Sequence, residues 1–131
     1  MIPKINFISR TEFEEAQGVF KIISDKITNT HVYFVLNDLK YYIGYPSSDT
    51  IKVEFMFLEK EKLLLVGVDL RVVVLNVETG SILFSIGLFS YFKGFKNSSE
   101  LAFTIYSELE DIVVNKNGLS ISQIISHELE F

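Results

Sequence analysis

The sequence predicts an α+β chain, predominantly an antiparallel β meander with one N-terminal helix. Three observations carry this expectation. Residues 63–92 hold three apolar runs of strand length, parted by turn residues at Val68-Asp69-Leu70-Arg71 and Glu78-Thr79-Gly80. Twelve Phe and six Tyr without a Trp suit a β-rich core better than a helical bundle. Beyond them, Asn117-Gly118 is the strongest short hairpin signal in the chain. Two all-β arrangements satisfy the same strands: a sandwich, or hairpins like propeller blades.

The elements follow in order. Residues 1–8 read as an edge strand that tolerates Pro3 near its start. Thr11-x-x-Glu14 has the form of a capping box, and Phe13, Ala16, Phe20, Ile23 and Ile27 then recur every three or four residues. That stripe predicts the helix, although Gly18 inside it costs about 1 kcal/mol relative to Ala, and a strand over 19–23 is the rival. Residues 31–45 form a hairpin through Asn37-Asp38, which tolerate left-handed backbone. Pro46-Ser47-Ser48-Asp49 is a loop, and residues 51–58 alternate as a strand with one buried and one wet face. The tetrad Glu59-Lys60-Glu61-Lys62 turns the chain into the central meander. Residues 93–100 are polar and small, and read as a loop. Strands are expected at 101–107, 111–114 and 119–125, with residues 127–131 as a surface tail.

A faint echo runs through this pattern, of the kind that a hairpin meander also produces by chance, and it supports antiparallel β. Asn37, Asn76 and Asn115 each end an apolar strand at intervals of 39 residues (37 to 76, 76 to 115). About forty residues is the period of a propeller blade, and VVVLNVETGSILF is similar to the strand–turn–strand of quinoprotein-type blades. Three units are too few to close such a ring.

A chain of 131 residues has the length of a single domain. With 48% apolar and 22% charged residues it is not a disordered chain. The absence of cysteine excludes disulfides, thiolate nucleophiles and Cys-ligated metal. Lys4, Arg10, Glu12, Glu14 and Glu15 interrupt any signal-peptide core, and the longest uncharged run, 79–92, falls well short of the roughly eighteen residues of a membrane span. These features point to the cytoplasm. The net charge of −5 is unevenly placed. Residues 1–96 carry eleven acids and eleven bases; residues 97–131 carry Glu100, Glu108, Glu110, Asp111, Glu128 and Glu130 against Lys116 alone. Such a surface repels nucleic acid and membranes and favours a basic protein partner.

Catalytic patterns are missing. The sequence has no Gly-rich phosphate loop and no Gly-x-Ser-x-Gly elbow. His31 and His127 lack a second histidine at a metal-ligand spacing, and read as solvated or turn-stabilising. Glu108, Glu110 and Asp111 supply no complete metal or glycosidase set; they read as a solvated strand end or a patch for a cationic partner. Tyr91, Phe92 and Phe95 among Lys93, Gly94 and Lys96 close one end of the core rather than stack bases. No cofactor or metal is expected.

The meander VGVDLRVVVLNVETGSILFSI and the acidic segment YSELEDIVVNKNG resemble, at the level of a class, small bacterial immunity proteins that neutralise polymorphic or contact-dependent toxins. The resemblance spans the C-terminal half. It implies a non-enzymatic inhibitor that occludes a toxin domain of nuclease type. Glu100, Glu108, Glu110 and Asp111 are then the candidate steering acids, and Tyr91 and Tyr106 the candidate anchors. The alternative is a structural or adaptor subunit of a larger complex, and a small hydrolase is the third class.

Overall fold

In a computed structural model that describes residues 2–127, the chain is mostly antiparallel β-sheet with one short N-terminal helix. Helix α1 covers only Arg10–Glu15. Its N-cap is Ser9, not Thr11; the Ser9 hydroxyl accepts from the Glu12 amide at 3.1 Å. The expected longer helix does not form. Ala16 leaves in an extended conformation, Gly18–Phe20 makes one 3-10 turn, and Lys21–Ser24 is a strand. Gly18 is a poor helix interior, and Ile22 and Ile23 bury better as a strand against the core; Ile27, supposedly on the same stripe, is 74% exposed.

Among the described residues, twelve strands form three four-stranded sheets. The first contains β1 (Asn6–Phe7), β2 (Lys21–Ser24), β3 (Thr30–Leu36) and β4 (Leu39–Tyr45), in the order β1-β3-β4-β2, with β2 parallel to β4. Asn37 and Asp38 join β3 to β4 with positive φ at both positions, as their side chains permit. The second sheet is the meander β5 (Glu54–Leu58), β6 (Leu63–Val68), β7 (Arg71–Asn76) and β8 (Ile82–Gly87). The third is the meander β9 (Phe92–Lys96), β10 (Ala102–Ser107), β11 (Glu110–Asn115) and β12 (Ile121–Ser126). The third apolar run of 63–92 is therefore cut in two. Its end opens β9, and part of the expected 93–100 loop pairs with β10.

The sheets stack face to face with the second in the middle. Leu64, Val66, Val68, Val73 and Leu75 pack against Val32, Phe34, Tyr41 and Ile43 of the first sheet. Leu63, Leu65, Val72 and Val74 pack against Phe103, Ile105, Ile112 and Val114 of the third. Every residue of β6 is buried. This explains the unbroken LLLVGV, which a half-wet strand would interrupt with polar residues. It also corrects the reading of β5: Phe55 and Phe57 pack toward the first sheet and Met56 toward the third, so neither face is wet.

The 39-residue echo is a structural repeat between the second and third sheets. Leu63 pairs with Asn76 as Ala102 pairs with Asn115, and Val66 with Val73 as Ile105 with Ile112. The bulge between Val74 and Leu75 recurs between Val113 and Val114. The Asn76 amide donates to the Ser81 carbonyl at 2.9 Å, and the Asn115 amide to that of Ser120 at 2.8 Å. The first sheet does not follow this plan: Asn37 starts a two-residue turn, and the outer strand β2 comes from the N-terminal side.

Both ends of the stack are capped. Repeat positions that are Leu63, Leu65 and Val72 in the buried sheet are Ala102, Thr104 and Asp111 in the third, on the face turned away from the stack. At the other end α1 places Phe13 on the outer face of the first sheet, 5.0 Å from the His31 ring and against Gly44.

Gly67 faces the third sheet where Phe92 crosses it; a Cβ there would lie 2.6 Å from the ring. Gly67→Ala must displace Phe92, which is packed on Phe95 at 4.7 Å. The expected cost is about 1–3 kcal/mol in urea unfolding, and an unchanged midpoint would contradict this close approach.

Candidate functional site

One end of the stack gathers loops from all three sheets. The β2–β3 loop contributes Asp25, Lys26 and Ile27, the β4–β5 loop Pro46 and Ser47, the β6–β7 turn Asp69 and Leu70, and the β8–β9 loop Tyr91. Together they line a cavity of about 420 Å³. A second cavity of about 240 Å³ adjoins it, lined by Ser47, Ile51, Asp69, Tyr91, Phe92 and Glu108. Ser47, Asp69 and Tyr91 belong to both cavities, so the two adjoin as parts of one groove.

The repeat builds this groove. Asp69-Leu70 and Glu108-Leu109 are equivalent turn residues, one between β6 and β7 and the other between β10 and β11. The segment Tyr91-Phe92 is held between them. The Phe92 amide donates to the Asp69 carbonyl at 2.7 Å, and the Glu108 amide to the Tyr91 carbonyl at 2.9 Å. The Tyr91 backbone is thereby fixed between the two turns, while more than half of the residue's surface stays exposed.

Asp69 is 4% exposed and has a positive φ, which Asp tolerates better than most residues. Its carboxylate accepts from the Ser47 hydroxyl at 2.5 Å and the Ser47 amide at 3.1 Å. It forms no ion pair among the described residues. Arg71, two residues on, instead reaches Asp25 at 3.5 Å. Burial, reinforced by the Asp69 charge, raises the Tyr45 phenol above its ordinary value.

The structure separates the sequence candidates. Tyr91 and Glu108 share the groove. Glu110 lies beneath this end, 9% exposed, with its Oε1 buried and without a hydrogen-bond partner among the described residues. Tyr106 and Asp111 are cross-strand partners on the outer face of the third sheet, where Asp111 accepts from His127 Nε2 at 2.8 Å. Glu100 lies at the opposite end of β10, lining a separate cavity with Glu61 and Lys116. Lys116 pairs there with Glu61 at 3.3 Å. Glu128 and Glu130 lie outside the described residues. Asp69, Ser47 and Ile27 were missed as site residues. The signal for Asp69 was present in its repeat equivalence to Glu108, whereas Ser47 and Ile27 arrive from loops whose position no local pattern encodes.

His31 is not solvated. It lies within β3, 6% exposed, with Nε2 2.7 Å from the Thr28 hydroxyl. The cavity that it lines is separate from the one lined by Glu108. Among the described residues no group of three His, Cys, Asp or Glu side chains could hold a metal ion. No helix of the described residues is long and apolar enough to cross a membrane. A scan of known protein-family models finds none that matches the chain, and no curated protein matches it.

Two outcomes follow from this chemistry. Burial, and then the Arg10 charge, lower the His31 pKa from its ordinary 6.5, with Glu14 pulling the other way. The unfolded chain therefore binds this proton at a higher pH than the folded one, and stability falls as pH drops through and below 6.5. His31→Gln should flatten that fall in thermal midpoints; parallel curves for variant and parent would refute the assignment. At the groove, Asp69→Asn keeps a residue that accepts left-handed backbone, while Asp69→Ala should be less stable by a further 2 kcal/mol or so in urea unfolding.

Proposed function

We propose that this chain is a non-enzymatic, protein-binding inhibitor of the immunity type, and that the groove at the loop end is its contact surface. One observation carries the reading. A single end of the molecule displays Ile27, Leu70 and Tyr91, which are 74%, 40% and 54% exposed, in two adjoining cavities that Asp69 and Glu108 also line. Apolar anchors bordered by acids match what a basic protein surface needs: desolvated contact at the centre and charge steering at the rim. The partner class is a toxin domain whose substrate groove is basic, which an acidic face approaches fast and occludes.

The outer face of the third sheet is less suited to this role, because Asp111 there is already engaged by His127 and the Thr104 hydroxyl is buried against Ser98. Glu110 contributes no contact in this reading, since it is buried. Glu108 is the steering acid and Tyr91 the anchor.

The test is co-purification with the product of the adjoining gene, followed by binding kinetics. Tyr91→Ala should raise the dissociation rate at least tenfold, about 1.4 kcal/mol. Glu108→Lys should lower the association rate and weaken its dependence on salt. Absence of a tight partner, or unchanged binding in both variants, would overturn the proposal.

A further inference from the structure

We infer that the smaller cavity of the groove receives an arginine side chain of the protein partner, with its guanidinium held between the Tyr91 ring and the carboxylates of Asp69 and Glu108. This deepens the proposed function and rests on it for the identity of the partner as a protein. The chemistry of the pocket is independent of that reading.

Three features select a cation. The cavity is lined by two acids and no base: Ser47, Ile51, Asp69, Tyr91, Phe92 and Glu108. The Asp69 carboxylate is 4% exposed, so its charge acts in surroundings that screen it poorly. Its two hydrogen bonds come from Ser47 alone, and no Lys or Arg among the described residues lies within ion-pair distance. A carboxylate taken out of water in this way keeps lone pairs for a further donor.

Two more features select a guanidinium over an ammonium. Tyr91, more than half exposed, lines the cavity, and a planar, weakly hydrated guanidinium stacks on such an aromatic ring while donating in its own plane. The acids come from two different turns set at equivalent places in the repeat, Asp69 on the second sheet and Glu108 on the third. A forked group with five donors can serve both; a point charge must choose. Ile51 offers apolar contact for the methylene stem. The larger neighbouring cavity is less suited, because Lys26 lines it and Arg71 already occupies Asp25.

The experiment titrates the intact protein with N-acetyl-arginine amide, following backbone amide signals by NMR. N-acetyl-citrulline amide, of the same shape without the charge, is the control. Saturable shifts are expected at Ser47, Asp69, Tyr91 and Glu108 with a dissociation constant in the millimolar range, roughly fivefold weaker for citrulline. Glu108→Gln and Tyr91→Ala, both at exposed positions, should each weaken arginine binding about threefold or more while distant signals stay in place. The inference is overturned if arginine gives no saturable shift at these residues, if citrulline binds equally well, or if neither variant changes the affinity. Arginine binding by a chain that captures no protein partner would sink the proposed function and leave the pocket assignment standing. Capture of a partner with the kinetics expected for Tyr91→Ala and Glu108→Lys, but with no arginine shift, would do the reverse.

Discussion

Burial of the second sheet on both faces governs the rest of the molecule. Water cannot reach β6 or its inner neighbours, so each of their backbone groups must be paired within the sheet. That demand makes the meander continuous and sets its register to both neighbours at once. Side chains pointing either way from β6 meet apolar partners, Val32 and Phe34 on one side and Phe103 and Ile105 on the other. A one-residue slip would exchange the two sets, and two differently shaped cores would both lose their fit. The close seat of Phe92 on Gly67 is one consequence: the sheets approach near enough there that glycine leaves room for the ring.

Stacking sheets in this way leaves an end problem, since each added layer exposes another face. The chain solves it differently at its two ends. On the first sheet a short helix closes the face with Phe13, and the buried His31 is satisfied locally by Thr28. On the third sheet the repeat positions themselves change, from Leu65 and Val72 to Thr104 and Asp111. The repeated turns were then left free for another use. Because equivalent turns of neighbouring sheets emerge side by side, a carboxylate at that position in each, Asp69 and Glu108, comes to line a common cavity.

The legible parts of this structure are those where a few adjacent residues decide the outcome. Asn37-Asp38, Glu59–Lys62 and Asn117-Gly118 were read as turns and are turns, because left-handed backbone is a property of the residue and its neighbours. The failures share the opposite character. The stripe Phe13, Ala16, Phe20, Ile23 and Ile27 satisfied a helical period, yet a parallel place beside β4 buried Ile22 and Ile23 more completely than a helix could. Residues 93–96 looked too polar for a strand, but an edge position asks for only one paired side. The acidic surplus of 97–131 read as one patch. In three dimensions Glu100 and Glu108 lie at opposite ends of β10, Glu110 faces inward and Asp111 meets His127.

By itself, then, the sequence determined the class of the fold and the positions of most strands and turns, while the echo at 39 residues became a repeat only through the matching strand pairings. These depend on backbone preference and on the alternation or continuity of apolar side chains, which act over short distances along the chain. Only the tertiary structure decided that the strands divide into three stacked sheets, that the middle one is wholly buried, and that Ser47, Asp69, Tyr91 and Glu108 share one groove. Those outcomes depend on which surfaces exclude water together, and surfaces from residues 25, 47, 69, 91 and 108 meet through packing between sheets, which no local pattern records.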